Sequence, residues 1–140
     1  MTKLPKWFFA SAALFALCGM IWGIQMSATQ DHTLSPAHGH LNLIGFVSMA
    51  IFGTYYALTP KAAQTRMAAL HFGITFVAVI VLTPGIAMAI TGQGEILAKI
   101  GSLLAVISMA LFAFCVLRHG VGRAESQSDQ EARPHPQPAQ

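Results

Sequence analysis

The chain has 140 residues, of which 54% are apolar and 9% charged, and a formal net charge of +3. A soluble domain of this size needs far more polar surface than that, so the lipid bilayer is the expected solvent and first partner. No basic patch interleaved with aromatics is present, so the positive charge speaks for topology and no nucleic acid is expected as a partner.

Four apolar stretches, from Trp7 to Ser27, Ala37 to Leu58, Met67 to Ile90 and Ile96 to Leu117, each reach the roughly 20 residues needed to cross a hydrocarbon layer about 30 Å thick. They are continuous rather than alternating, and lipid offers no water to an open backbone, which predicts helices and not strands. The expected fold is all-α: an integral membrane four-helix bundle over residues 1–122, followed by a tail at 123–140. That tail is rich in Glu, Ser, Gln and Pro and cannot bury enough apolar area to order itself, so it is expected to be disordered. His135 within it is read as incidental.

Lys3, Lys6, Lys61, Arg66, Arg118 and Arg123 border one side of the predicted bundle, while Lys99, Asp31 and Glu95 lie toward the other. Because Lys and Arg accumulate in short cytoplasmic segments, an N-in/C-in, multi-pass protein of the inner (cytoplasmic) membrane of a bacterium is expected. The first span is read as a membrane helix rather than a cleaved secretory signal. Its apolar run exceeds the usual length of about 7 to 15 residues, and Met26-Ser27-Ala28 is a poor cleavage site. Cys18 and Cys115 fall inside spans, where small buried hydrophobes are expected, and their spacing suggests no thiolate metal site.

Along the chain, Ser35-Pro36 reads as an N-cap followed by proline at the first helical position. The second span should stop at Thr59-Pro60. Thr83-Pro84-Gly85 predicts a kink in the third span, because proline removes a backbone donor and crowds the preceding turn. Thr91-Gly92-Gln93-Gly94 reads as a tight hairpin, after which Glu95 and Lys99 are spaced to pair on the last helix.

The chemistry-bearing residues gather at Pro36-Ala37-His38-Gly39-His40-Leu41-Asn42. Ionisable groups in membrane segments are costly to bury and are functional candidates by default. Imidazole is also the commonest side-chain metal ligand. With His32 in the preceding loop, a copper or zinc site made of His32, His38 and His40 is one reading; the plain alternative is three hydrated interfacial histidines. On a regular helix, positions 38 and 40 point about 160° apart. His38 then shares a face with Asn42, Gly45, Met49, Phe52, Gly53 and Tyr56, directed at the bundle. His40 shares one with Ile44, Val47, Ile51 and Leu58, directed at lipid or another subunit. His71 should lie about 20 Å away in height, either as a hydrogen-bonded interhelical histidine or at a second cofactor or quinone site. Met88, near the height of His40, is the soft ligand that could oppose a histidine across a haem iron.

The run His40-Leu41-Asn42-Leu43, with Gly53, Tyr55-Tyr56, Leu58 and Pro60, resembles the haem-ligating second helix in the catalytic subunit of haem-copper oxidases, especially the nitric oxide reductase and cbb3 branches. In that family a His-x-Asn motif opens a helix that ends in an aromatic pair and proline. The resemblance covers about 25 residues and implies that His40 is an axial ligand of low-spin haem b on the outer side of the membrane. The family's subunits have about twelve helices, and their other haem and copper ligands lie on later helices with no counterpart here. The expectation is therefore a small cytochrome b-like membrane protein that binds haem through His40 or His38 and transfers electrons to a quinone or respiratory partner, completing its site as a homo-oligomer. The alternatives are a copper- or zinc-binding module and an accessory subunit without a cofactor.

Overall fold

A computed structural model describes residues 3–122, and the predicted tail at 123–140, including His135, lies outside them. Every regular element among the described residues is helical. Four helices are long and apolar enough to cross a membrane: α1 (Leu4–Thr29), α2 (Ser35–Leu58), α3 (Arg66–Ile90) and α4 (Ile96–His119). At 1.5 Å per residue the shortest extends about 36 Å, more than a hydrocarbon core requires. Large apolar side chains stand exposed along all four, among them Ile24, Ile51, Ile80 and Leu103. Those faces belong in hydrocarbon, and the chain is an all-α, multi-pass membrane protein.

The helix boundaries follow local chemistry. Thr59 adopts φ −119° and ψ 73°, the extended form imposed on a residue before proline, and ends α2. A single helical turn, Pro60–Ala63, follows. Thr65 then caps α3, its hydroxyl accepting the Ala68 N–H at 3.2 Å. Ser35 is not the cap expected of it: Leu34 holds the N-cap position, and the Ser35 hydroxyl donates instead to the His32 carbonyl at 2.7 Å. Gly92 and Gly94 take positive φ in the hairpin before α4, and Lys99 pairs with Glu95 at 2.9 Å as its spacing predicts. The hydrogen bond and charge of Lys99 hold the Glu95 carboxyl below its ordinary value. α3 continues unbroken through Pro84, its neighbour Gly85 being the position where the last helix approaches.

Helix pairing depends on missing side chains. A Cβ on Gly85 would lie 2.5 Å from the Ala98 backbone nitrogen, and one on Gly101 would lie 2.5 Å from Leu82 Cα. α3 and α4 thus meet backbone to backbone, as small residues allow in membranes. Gly45 and Gly53 of α2 admit Phe15 and Phe8 of α1 in the same manner. Aromatic packing is concentrated at the end that carries the Pro60 turn and the basic residues. There Phe8 packs on Phe52, Tyr56 and Phe72, and Tyr55 donates a hydrogen bond to the Cys115 carbonyl at 2.9 Å, joining α2 to α4. Cys115 is buried as expected, whereas Cys18 is exposed on α1.

Candidate functional site

The histidine cluster lies where α2 leaves its first turns. The segment Leu41–Ser48 is a π-helix, with i→i+5 bonding in place of the α pattern. Ser48 contributes to it, its hydroxyl donating to the Leu43 carbonyl five residues back at 3.0 Å. The buried positions Ala37, Leu41, Gly45 and Met49 recur every four residues. A regular helix of 3.6 residues per turn would carry that row steadily off the bundle. The wider turns hold it there. Wide turns of this kind often mark functional sites.

His38 is half-buried against α1. Its ring lies edge-on to Trp22, with centroids 6.0 Å apart, and its Cε1 would be 3.3 Å from a Cβ on Gly23. The Asn42 amide donates to the His38 carbonyl at 3.0 Å and stands 3.2 and 3.4 Å from the two ring nitrogens. A donor that near to both nitrogens faces the ring rather than meeting one lone pair squarely, so the firm bond is the one to the carbonyl. Asn42 itself occupies the space left by Gly19. His38 is therefore held by Trp22, Gly23 and Asn42, and no room for a flat macrocycle remains between it and α1. A cleft beside Trp22, bordered by Gln25, Met26, Thr29, Asp31 and Leu34, has a volume of ≈ 60 Å³, space on the scale of water rather than of a cofactor. At its rim, hydrogen bonds from the Thr33 side chain and then its backbone N–H hold the Asp31 carboxyl below its ordinary value.

His40 is placed differently. It is exposed, and its Nδ1 lies 2.7 Å from the Pro36 carbonyl oxygen. A carbonyl only accepts, so Nδ1 carries a proton, and in the neutral ring Nε2 is the lone-pair nitrogen. Histidines that ligate metals characteristically donate their other ring N–H in this way, which fixes tautomer and orientation. Gly39 beside it is open, with nothing near the position of a Cβ, and Leu43 and Val47 extend the same exposed face. The opposed directions expected of His38 and His40 are thus observed. His32 lies exposed in the loop, and among the described residues no three His, Cys, Asp or Glu side chains are grouped to hold a metal ion. His32, His38 and His40 do not converge within one chain. Met88 is half-buried near the same end of α3.

His71 forms a separate polar cluster. It is fully buried, with Nδ1 3.0 Å from the Tyr56 hydroxyl, which also lies 3.5 Å from Cys115 Sγ. One turn on, the Thr75 hydroxyl donates to the His71 carbonyl and lies 2.6 Å from the Ser108 hydroxyl. Nε2 of His71 has no partner among the described residues; the ring is packed by Phe52 at 4.6 Å, Phe8 at 5.7 Å and Phe112 at 6.0 Å between centroids. If the Tyr56 hydroxyl donates to Nδ1, the proton sits on Nε2, which is then a donor with no hydrogen-bond acceptor among the described residues. The two clusters touch α1 at Phe8 and Trp22, and 14 residues of helix separate them by about 21 Å, in line with the height difference read from the sequence. His71 and His40 cannot share one ion.

The Tyr56–His71 bond makes a prediction. Tyr56→Phe leaves both ring nitrogens of a buried imidazole without good partners and should cost about 1–2 kcal/mol. Adding His71→Leu removes the orphaned groups, so the double variant should lose less than the two single losses combined. Denaturant titration in detergent micelles reads both.

Integral membrane four-helix bundle is thus the class that fold and site define, with the outward His40 toward one end and the buried His71 toward the other. No protein-family model, curated protein or solved structure matches the chain.

Proposed function

We propose that this chain is a small membrane haem-binding protein, cytochrome b-like, in which His40 is an axial ligand and the function is electron transfer to a quinone or a respiratory partner. The observation that carries this reading is the 2.7 Å bond from His40 Nδ1 to the Pro36 carbonyl, which fixes the ring with Nδ1 as the donor and makes Nε2 the nitrogen that the neutral imidazole offers to a metal. The likeness of His40-Leu41-Asn42 to the haem-ligating helix of haem-copper oxidases adds to it. His38, engaged by Asn42, Trp22 and α1, acts in this account as a positioning residue for the start of α2.

Haem bound at His40 would supply one-electron redox chemistry. The chain's own residues orient it: Pro36 fixes the imidazole, Gly39 leaves space beside it, and the aliphatic row from Leu43 to Ile51 offers an apolar surface. The distribution of Lys and Arg supports an orientation with both ends of the described chain on the cytoplasmic side and His40 toward the outer face. A quantitative analysis of porphyrin, iron, copper and zinc in the purified protein tests the proposal. Porphyrin and iron in equal amounts are expected. Copper or zinc without porphyrin would favour the metal-binding alternative, and none of the four would favour an accessory subunit.

A further inference from the structure

We infer that the end of the bundle bearing the Pro60 turn is a binding surface for anionic phospholipid, its cations holding the headgroup phosphate while exposed apolar side chains one turn deeper hold the acyl chains. Five cationic side chains stand exposed there: Lys3 at the N-cap of α1, Lys6 in its first turn, Lys61 in the Pro60 turn, Arg66 at the start of α3 and Arg118 in the last turn of α4. Packing brings these termini together. Phe8 meets Phe72 with ring centroids 5.0 Å apart, which ties the start of α1 to that of α3. The Gly122 N–H donates to the Thr59 hydroxyl at 3.0 Å, which ties the end of α4 to the turn.

The charge at this end is uncompensated among the described residues. The salt bridge found there is Lys99 with Glu95, at the opposite end, and both described acids, Asp31 and Glu95, lie at that opposite end. Cations grouped at a membrane boundary attract anionic headgroups, each Lys or Arg strengthening the binding about fivefold. What lies beneath the charges selects a lipid over a free anion. Residues four apart share a helix face, and on three helices a cation stands one turn above an exposed apolar group. Lys3 is followed by Trp7, which is 56% exposed, Arg66 by Leu70, which is 54% exposed, and Arg118 is preceded by Phe114, which is 51% exposed. Tryptophan is also the side chain that settles at the headgroup level of a bilayer. Inorganic phosphate would meet the charges alone, whereas a phospholipid meets charge and apolar surface in the order in which it carries them. The haem reading has no part in this placement.

The test reconstitutes the full chain in phosphatidylcholine vesicles that carry a trace of spin-labelled phosphatidylglycerol or spin-labelled phosphatidylcholine. The motionally restricted fraction in the electron paramagnetic resonance spectrum gives each lipid's association with the protein. The expected result is an association constant about fivefold higher for phosphatidylglycerol. That excess should vanish in about 1 M salt, where the screening length falls to about 3 Å, and in a Lys61→Gln, Arg66→Gln, Arg118→Gln triple variant. The three side chains are exposed, so circular dichroism of the variant should match the wild type. Lys99→Gln, at the opposite end, should keep the excess. Equal association of the two lipids overturns the inference, as does an excess that survives high salt or the triple variant, or one that Lys99→Gln abolishes. Glycerol phosphate that erases the excess at an ionic strength where chloride does not would assign the surface to a free anion and overturn it too.

Discussion

His40→Ala is expected to remove the Soret band from the purified protein, with haem content falling at least tenfold, while helical content and detergent-solubilised yield stay as they are. The expected separation of the two effects comes from the position of the side chain. It is exposed, and its one hydrogen bond is to the carbonyl of its own helix, one turn back, so its loss opens no cavity and orphans no buried group. His38→Ala should behave in the opposite sense. It removes the ring that Trp22 and Asn42 pack against, so stability should fall by about 1–2 kcal/mol, with haem retained at reduced occupancy. Absorbance at the Soret maximum per chain, alongside circular dichroism, distinguishes the two variants. Loss of the band in His38→Ala and its retention in His40→Ala would reverse the assignment.

The second large effect is expected at the contact of α3 with α4. Gly85→Val and Gly101→Val each drive a branched side chain into the backbone of the facing helix, where no flexible atom can yield. Overpacking of this kind costs about 1–3 kcal/mol per site, against a total stability of about 5–15 kcal/mol for a typical domain. The double variant should therefore lose much of its resistance to denaturant or fail to accumulate. Gly19→Ala is the control, because its methyl would meet only the end of the Asn42 side chain, which can rotate aside, and a loss below about 1 kcal/mol is expected. Equal losses at Gly19 and Gly85 would contradict the backbone-to-backbone contact.

Much of the architecture is legible in the residues alone, because a bilayer imposes one length and one hydrogen-bonding solution on every span. The four apolar stretches match the four helices to within three residues at each end; the differences fall at Leu4, Thr29, Ser35, Arg66 and His119, where polar, charged and proline residues continue the helix past the apolar run. The π segment was not legible. A fixed 3.6-residue period underlies the helical wheel, and the signal that betrays the departure, burial at 37, 41, 45 and 49, exists only once burial is known. The wheel nonetheless placed His38 and His40 correctly, since both precede Leu41, where the wide turns begin. His71 was readable as an interhelical histidine with Thr75 above it. Its partner Tyr56, and the contacts of Tyr56 with Cys115 and of Thr75 with Ser108, were not, because they join residues 15 to 59 positions apart through helix pairings that spacing does not specify. Ser35 is a local failure: its hydroxyl found the His32 carbonyl three residues back rather than the helix N-terminus.

The central claim, that the outward imidazole of His40 binds haem, is tested most directly by the reduced-minus-oxidised visible spectrum of the full-length protein purified from haem-replete cells. The account predicts a Soret band and sharp α and β bands on reduction, as a low-spin b-type haem gives. A flat difference spectrum from folded protein would contradict it.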